Sequence, residues 1–125
     1  MLVPNKPSIL IIDDDQAILH MFTRLFQRNG YAVTVAAKGS EAIEKLNDDH
    51  FDVALVDLRL PDMEGTELFP VITKKSPGTV KIMLTGDVYS AGNLEGADAL
   101  LGKPVNPCKL LSIIDSKLKN RCIET

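Results

Sequence analysis

Asp13 and Asp14 follow the apolar run "ILII", and Asp15 follows them. Asp57 closes a second apolar run in "FDVALVDLRLPDMEG". Thr85 and Gly86 close another in "VKIMLTGD", and Lys103 ends a short one in "ADALLGKP". Carboxylates brought within a few ångströms of one another repel, and at least one pKa rises unless a cation intervenes. A hard divalent ion answers that problem. Mg²⁺ takes oxygen ligands, keeps several waters and combines one or two carboxylates with phosphate oxygens. Zn²⁺ would call for His or Cys, and His20 and His50 lie within or beside helical segments. Next to such an ion an aspartate can attack a phosphoryl group and form an acyl phosphate. A lysine ammonium and a threonine hydroxyl then share the charge on the phosphoryl oxygens. Asp57, Lys103 and Thr85 are the candidates for these three roles.

Singly, each aspartate is better read as a helix cap. Together with Lys103 they form a combination that no cap requires. Asp15 is expected to start the first helix, where a carboxylate suits the exposed N–H groups and the helix dipole. Thr85 alone is an ordinary strand residue and takes its meaning from its neighbours.

The elements that would position these residues alternate. Residues 8–12, 32–35, 53–56 and 80–84 are expected strands, two of them nearly unbroken in apolar residues, as in a sheet covered on both faces. Ile18, Phe22, Leu25 and Phe26 repeat at helical spacing, as do Ala42, Ile43 and Leu46, then Leu68, Val71 and Ile72, and finally Leu110, Leu111, Ile114 and Leu118. Gly30, Gly39 and Gly78 punctuate the joins, and Ser40 is the expected cap of the second helix, with Glu41 in its first turn. This rhythm predicts an α/β fold, a parallel sheet with helices on both faces and right-handed crossovers. In such sheets the reactive site lies at the carboxyl ends of the strands.

At 125 residues the chain has the size of one domain, with tails expected at 1–7 and 121–125 around a domain spanning 8–120. Hydrophobic residues make up 45% and charged residues 25%, which argues against disorder, and the apolar stretches are too short to cross a membrane. The N-terminus lacks the pattern of a signal peptide, so a cytoplasmic protein is expected. Cys108 and Cys122, without a CxxC pattern, fit free thiols in a reducing compartment. The net charge is −3, and basic residues cluster only at Lys74-Lys75 and in the Lys117–Arg121 tail, which argues against direct nucleic-acid binding. Met63 and Met83 fit core or loop filling. No Walker motif is present.

The elements "IIDDD", "LVDLRLPDMEG", "MLTGD" and "GKP", in this order on expected strand ends, resemble the receiver domain of two-component response regulators. The likeness covers about residues 8–118. It implies a flavodoxin-like, doubly wound five-stranded parallel sheet of order 2-1-3-4-5. It also implies that Asp57 accepts the phosphoryl group, that Asp13 and Asp14 hold Mg²⁺ directly or through water, and that the backbone carbonyl of Arg59 completes the protein ligands. Thr85 and Lys103 would contact the phosphoryl group, and the Lys103–Pro104 bond would be cis. The implied partners are a histidine kinase or phosphotransfer protein, an unknown output domain or protein and a phosphorylation-dependent homodimer. No membrane partner is expected.

Two departures stand out. Leu100 occupies the position, three before the lysine, where many receivers carry an aromatic residue. The stretch "DVYSAGNLEGADALLG" looks about one helical turn shorter than the family usually has, and Gly92, Asn93 and Gly96 weaken a helix there. The fourth helix is therefore expected to be short or irregular, with Tyr89 as a candidate substitute for the missing aromatic. Arg59 and Asp87 are a candidate ion pair at the pocket mouth. The expected function is a phosphoacceptor switch in a phosphorelay, self-catalysing its phosphorylation and slow dephosphorylation but no metabolic enzyme. The alternatives are a phosphorylation-independent scaffold with a vestigial acidic site, and a Mg²⁺ phosphohydrolase. The last lacks a clear water-activating group or substrate pocket.

Overall fold

The computed structural model describes residues 6–86 and 96–123, with side chains as far as residue 119. Five strands, β1 (Ser8–Ile12), β2 (Ala32–Ala36), β3 (Val53–Asp57), β4 (Val80–Thr85) and β5 (Ala99–Gly102), pair in parallel in the order β2-β1-β3-β4-β5. The helices among the described residues are α1 (Gln16–Arg28), α2 (Gly39–Asp48), α3 (Leu68–Lys75), preceded by a 3₁₀ turn at Gly65–Glu67, and α4 (Pro107–Ile123). This is the flavodoxin-like arrangement the motifs imply. The expectations of a short or irregular helix between β4 and β5, of Tyr89 as a substitute aromatic and of an Arg59–Asp87 pair involve residues 87–95, outside the described residues.

Strand alternation builds two cores. Ile9, Ile11, Val53, Leu55, Ile82, Leu84 and Leu101 point to one face, against Leu19, Phe22 and Phe26 of α1 and Leu110 and Ile114 of α4. Leu10, Ile12, Ala54, Val56 and Met83 point to the other, against Ala42 and Leu46 of α2 and Leu68, Phe69 and Ile72 of α3. Each helix therefore needs only one apolar stripe, while the central strands β3 and β4 are buried throughout. At the opposite end of the sheet from the aspartates, Tyr31 donates from its hydroxyl to Asp115 Oδ1 at 2.8 Å, tying the start of β2 to α4.

The helix starts differ in how they are satisfied. Asp15 caps α1 as expected, its carboxylate accepting from Ala17 N at 2.9 Å and Ile18 N at 3.4 Å. Ser40 does not cap α2: it lies inside the helix, whose N-cap position is Lys38 and has no side-chain bond of its own. The carboxylate of Asp62 reaches across from the β3–α3 loop instead, accepting from Gly39 N at 2.8 Å and Ser40 N at 2.9 Å.

That loop is held closely at its far end as well. A Cβ on Gly65 would collide with the Asp57 carbonyl oxygen and with a Val56 methyl. Gly65→Ala is therefore expected to destabilise the fold by about 2 kcal/mol, because backbone rather than a flexible side chain would have to move. An unshifted urea midpoint for Gly65→Ala would show that the loop yields without cost.

Candidate functional site

Parallel register carries the chemistry-bearing residues to one edge. Ile12 pairs with Val56, so Asp13 and Asp57, one position further on, leave neighbouring strands side by side. Asp57 pairs with Leu84 and Thr85 with Gly102, so Thr85 and then Lys103 each follow one step beyond their neighbours. The Lys103 N–H donates to the Thr85 carbonyl at 2.7 Å, extending the ladder past β5. Asp13, Asp57 and Lys103 share the alternation of Ile11, Leu55 and Leu101. These three residues continue the core facing α1 and α4 into a polar rim.

The start of β5 is fixed at the other end. Asp98 accepts from Lys81 N at 2.7 Å through its carboxylate and donates its own N–H to Lys81 O at 2.6 Å. The buried Lys81 ammonium donates to Thr79 O at 3.2 Å and lies 3.9 Å from the same carboxylate. This pairing fixes the register on which the placement of Lys103 depends. No pattern in the sequence marked it.

At the rim, the Lys103 ammonium donates to Asp13 Oδ2 at 3.0 Å and to Asp57 Oδ1 at 3.2 Å. Asp13 is 2% exposed and Asp57 9%, whereas Asp14 is open to solvent. One carboxylate oxygen from each of Asp13, Asp14 and Asp57 lies within 4.8 Å of the others. Asp13 also accepts the Asp15 N–H at 3.0 Å, which ties the acidic rim to the start of α1. The Thr85 side chain is buried at the same edge.

Burial pushes the Asp57 carboxyl above the usual carboxylate range, and the charge of Asp13 adds to that rise while Lys103 opposes it. Burial works to lower the pKa of Lys103, but the hydrogen bonds and charges of Asp13 and Asp57 prevail and hold it above its ordinary value. An all-oxygen set of clustered carboxylates suits a hard cation such as Mg²⁺ and offers Zn²⁺ none of its preferred ligands.

Arg59 is exposed and pairs through its backbone with Glu64 across the β3–α3 loop. The Lys103–Pro104 bond is cis. Leu100 lies on β5 beside Met83 and is 36% exposed. Cys108 is a free, exposed thiol. Among the described residues no helix is long and apolar enough to cross a membrane.

The family model for the response regulator receiver domain matches residues 9–115. The transcriptional regulatory protein GlrR of Escherichia coli strain K12 is 34% identical over 120 residues, covering 92% of this chain and 27% of that protein. The chain spans about a quarter to about half the length of the curated relatives it matches. A CheY-like receiver domain protein from Methanospirillum hungatei JF-1 superimposes with a TM-score of 0.89 at 42% identity, covering 96% of this chain and 99% of that one. A response regulator protein from Burkholderia pseudomallei, solved with a phosphorylated aspartic acid, a calcium ion and citrate, matches at a TM-score of 0.77 and 26% identity, over 94% of this chain and 72% of that one. Sheet order, acidic rim and family model agree: the chain belongs to the response regulator receiver domain family.

Proposed function

We propose that this domain is a Mg²⁺-dependent phosphoacceptor switch in which Asp57 takes a phosphoryl group from a histidine kinase or phosphotransfer protein. The observation that carries the reading is the Lys103 ammonium held between Asp13 and Asp57 beside a third carboxylate. One Asp57 oxygen attacks phosphorus, the bond to the donor nitrogen or oxygen breaks, and the leaving group departs with its electron pair. Lys103 and the Thr85 hydroxyl take up charge on the transferred oxygens. Asp13, Asp14, Asp57 and the Arg59 carbonyl are the residues that would hold the cation. A bound Mg²⁺ would offset the charge of the carboxylates and phosphoryl oxygens. The phosphorylated aspartate and hard cation of the Burkholderia relative support this assignment.

The product is a conformation rather than a metabolite. Added negative charge at Asp57 draws Thr85 and Lys103 inward and shifts an equilibrium between loop states that an output reads. Mass measurement after incubation with a small acyl phosphate tests the reading: one phosphoryl group is gained with Mg²⁺ present and none with a chelator. The exposure of Leu100 on β5 favours a second reading, a scaffold that does not use an inward-turning residue there. Partner capture indifferent to Asp57→Asn would select that reading.

A macromolecular donor has a surface to meet. A groove of about 440 Å³ lined by Ile18, Met21, Phe22, Lys103, Val105 and Pro107 opens beside the site. His20, Arg24 and Arg28 border its continuation along α1. Met21 is 46% exposed and lines both stretches. Met21→Glu is expected to slow transfer from a protein donor roughly tenfold, the scale of a lost interface anchor, while leaving transfer from a small donor unchanged. Equal slowing with both donors would place Met21 in the chemistry rather than in docking.

A further inference from the structure

The chain leaving Asp57 forms a closed loop. Leu58 N donates to Leu84 O at 2.9 Å, Gly65 N returns to Leu58 O, and Arg59 and Glu64 pair across the stem. At the tip, Leu60 N donates to Met63 O at 3.0 Å. The tip rests on α2. Asp62 accepts from Gly39 N and Ser40 N, and Met63 packs so closely over Gly39 that a Cβ there would overlap its Sδ, Cγ and Cε atoms. Helix α2 has no cap from its own strand connection, so the loop supplies one. The phosphoacceptor loop and α2 are thereby parts of one hydrogen-bonded unit.

Resting on the Mg²⁺ reading above, we infer that Asp62 is a positioning residue for the metal and phosphoryl site, acting through the loop that runs from Asp57 to the α2 N-terminus. The tether limits where the chain can go immediately after Asp57, and so keeps the carboxylates at a spacing that suits a cation. Groups that orient metal ligands from outside the coordination sphere commonly change metal affinity by 10- to 100-fold. Coupling of this kind is reciprocal: if Asp62 favours cation binding, cation binding favours the Asp62 bonds. The Gly39 and Ser40 amides, more than 20 residues earlier in the chain, then report on the site.

Calorimetric Mg²⁺ titration and amide hydrogen exchange, on wild type, Asp62→Asn, Asp62→Ala and Tyr31→Phe, test the inference. Asp62→Ala is expected to weaken Mg²⁺ binding about tenfold. Asp62→Asn, which retains an acceptor oxygen, should fall between it and wild type. Tyr31→Phe removes the remote bond to Asp115 and should lower the melting temperature without moving Mg²⁺ affinity. In wild type, Mg²⁺ should slow exchange at Gly39 and Ser40, and in Asp62→Ala it should not. Asp62→Ala that melts earlier but binds Mg²⁺ within twofold of wild type would reduce Asp62 to a helix cap and overturn the inference. Equal weakening in Asn and Ala would assign the effect to charge alone, and would overturn the tether too. A wild-type chain that binds no Mg²⁺ would overturn the proposed function along with it.

Discussion

Asp57→Asn is expected to remain unmodified after incubation with a small acyl phosphate and Mg²⁺, under conditions in which wild type should gain one phosphoryl group. The carboxamide keeps the shape of the side chain but loses the anionic oxygen that would attack phosphorus in the proposed reaction, so a rate loss of at least roughly 10³-fold is expected. The same substitution should stabilise the Mg²⁺-free protein. Asp57 is buried beside Asp13, and its folded-state pKa lies above the unfolded value. A carboxyl shifted in that direction binds its proton more tightly in the folded state. Its ionisation therefore costs folded-state stability as pH rises above the unfolded value, and the cost is relieved as pH falls back through the carboxylate range. At neutral pH without Mg²⁺, Asp57→Asn should be about 1 kcal/mol more stable than wild type, a size usual for relieving an active-site charge. The gap should narrow on acidification and on adding Mg²⁺, which stabilises the form that binds it. Thermal unfolding with and without Mg²⁺, at two pH values, measures this. An adduct persisting in Asp57→Asn would move the nucleophile to Asp13 or Asp14.

Lys103→Met should impair both transfer and stability, and the two effects should separate on addition of Mg²⁺. Its ammonium is the described cation contacting both buried carboxylates, at 3.0 Å from Asp13 and 3.2 Å from Asp57. Methionine keeps an apolar stem and removes the charge, leaving two carboxylates facing one another. Removing one member of a buried ion pair is strongly destabilising, and with Lys103 partly exposed a loss of about 2 kcal/mol is expected. The net upward shift of the Lys103 pKa has the matching sign: its contribution is present below the unfolded lysine value and is lost only as pH rises through the folded one. Added Mg²⁺ should restore most of the lost stability by neutralising the same carboxylates. It should not restore transfer, which lacks a donor for the developing phosphoryl charge and should stay slowed by roughly 10²-fold. Urea unfolding with and without Mg²⁺, beside single-turnover phosphorylation, reads the two effects. Stability that Mg²⁺ fails to recover would show that Lys103 acts through packing.

Much of the site was legible because its residues follow short, mostly apolar runs. An apolar strand buried on both faces ends where the chain turns polar, and parallel pairing brings such ends to one edge. The sequence alone therefore places Asp13, Asp57, Thr85 and Lys103 at one edge. Asp15 as a cap was legible for a local reason, since it needs only the amides two and three residues ahead.

The capping of α2 was illegible for the opposite reason. Ser40 and Glu41 form a plausible local start, yet the acceptor comes from Asp62 in a loop elsewhere in the chain. Glu41 instead accepts the Ala37 N–H at 2.8 Å. The Lys81–Asp98 pairing was likewise hidden, because a lysine inside an apolar strand declares no partner until β4 and β5 lie side by side.

By itself the sequence determined the periodicities, and with them the strands, the two-sided sheet and which residues meet at its carboxyl edge. Periodicity is a property of consecutive residues, and parallel pairing converts it directly into neighbourhood. The tertiary structure alone decided that Lys103 bridges Asp13 and Asp57, that Asp98 fixes the register of β5, and that the loop after Asp57 is fastened to α2. Those are contacts between side chains or loops far apart in sequence, whose distances depend on how the helices pack over the sheet, and no local pattern encodes them.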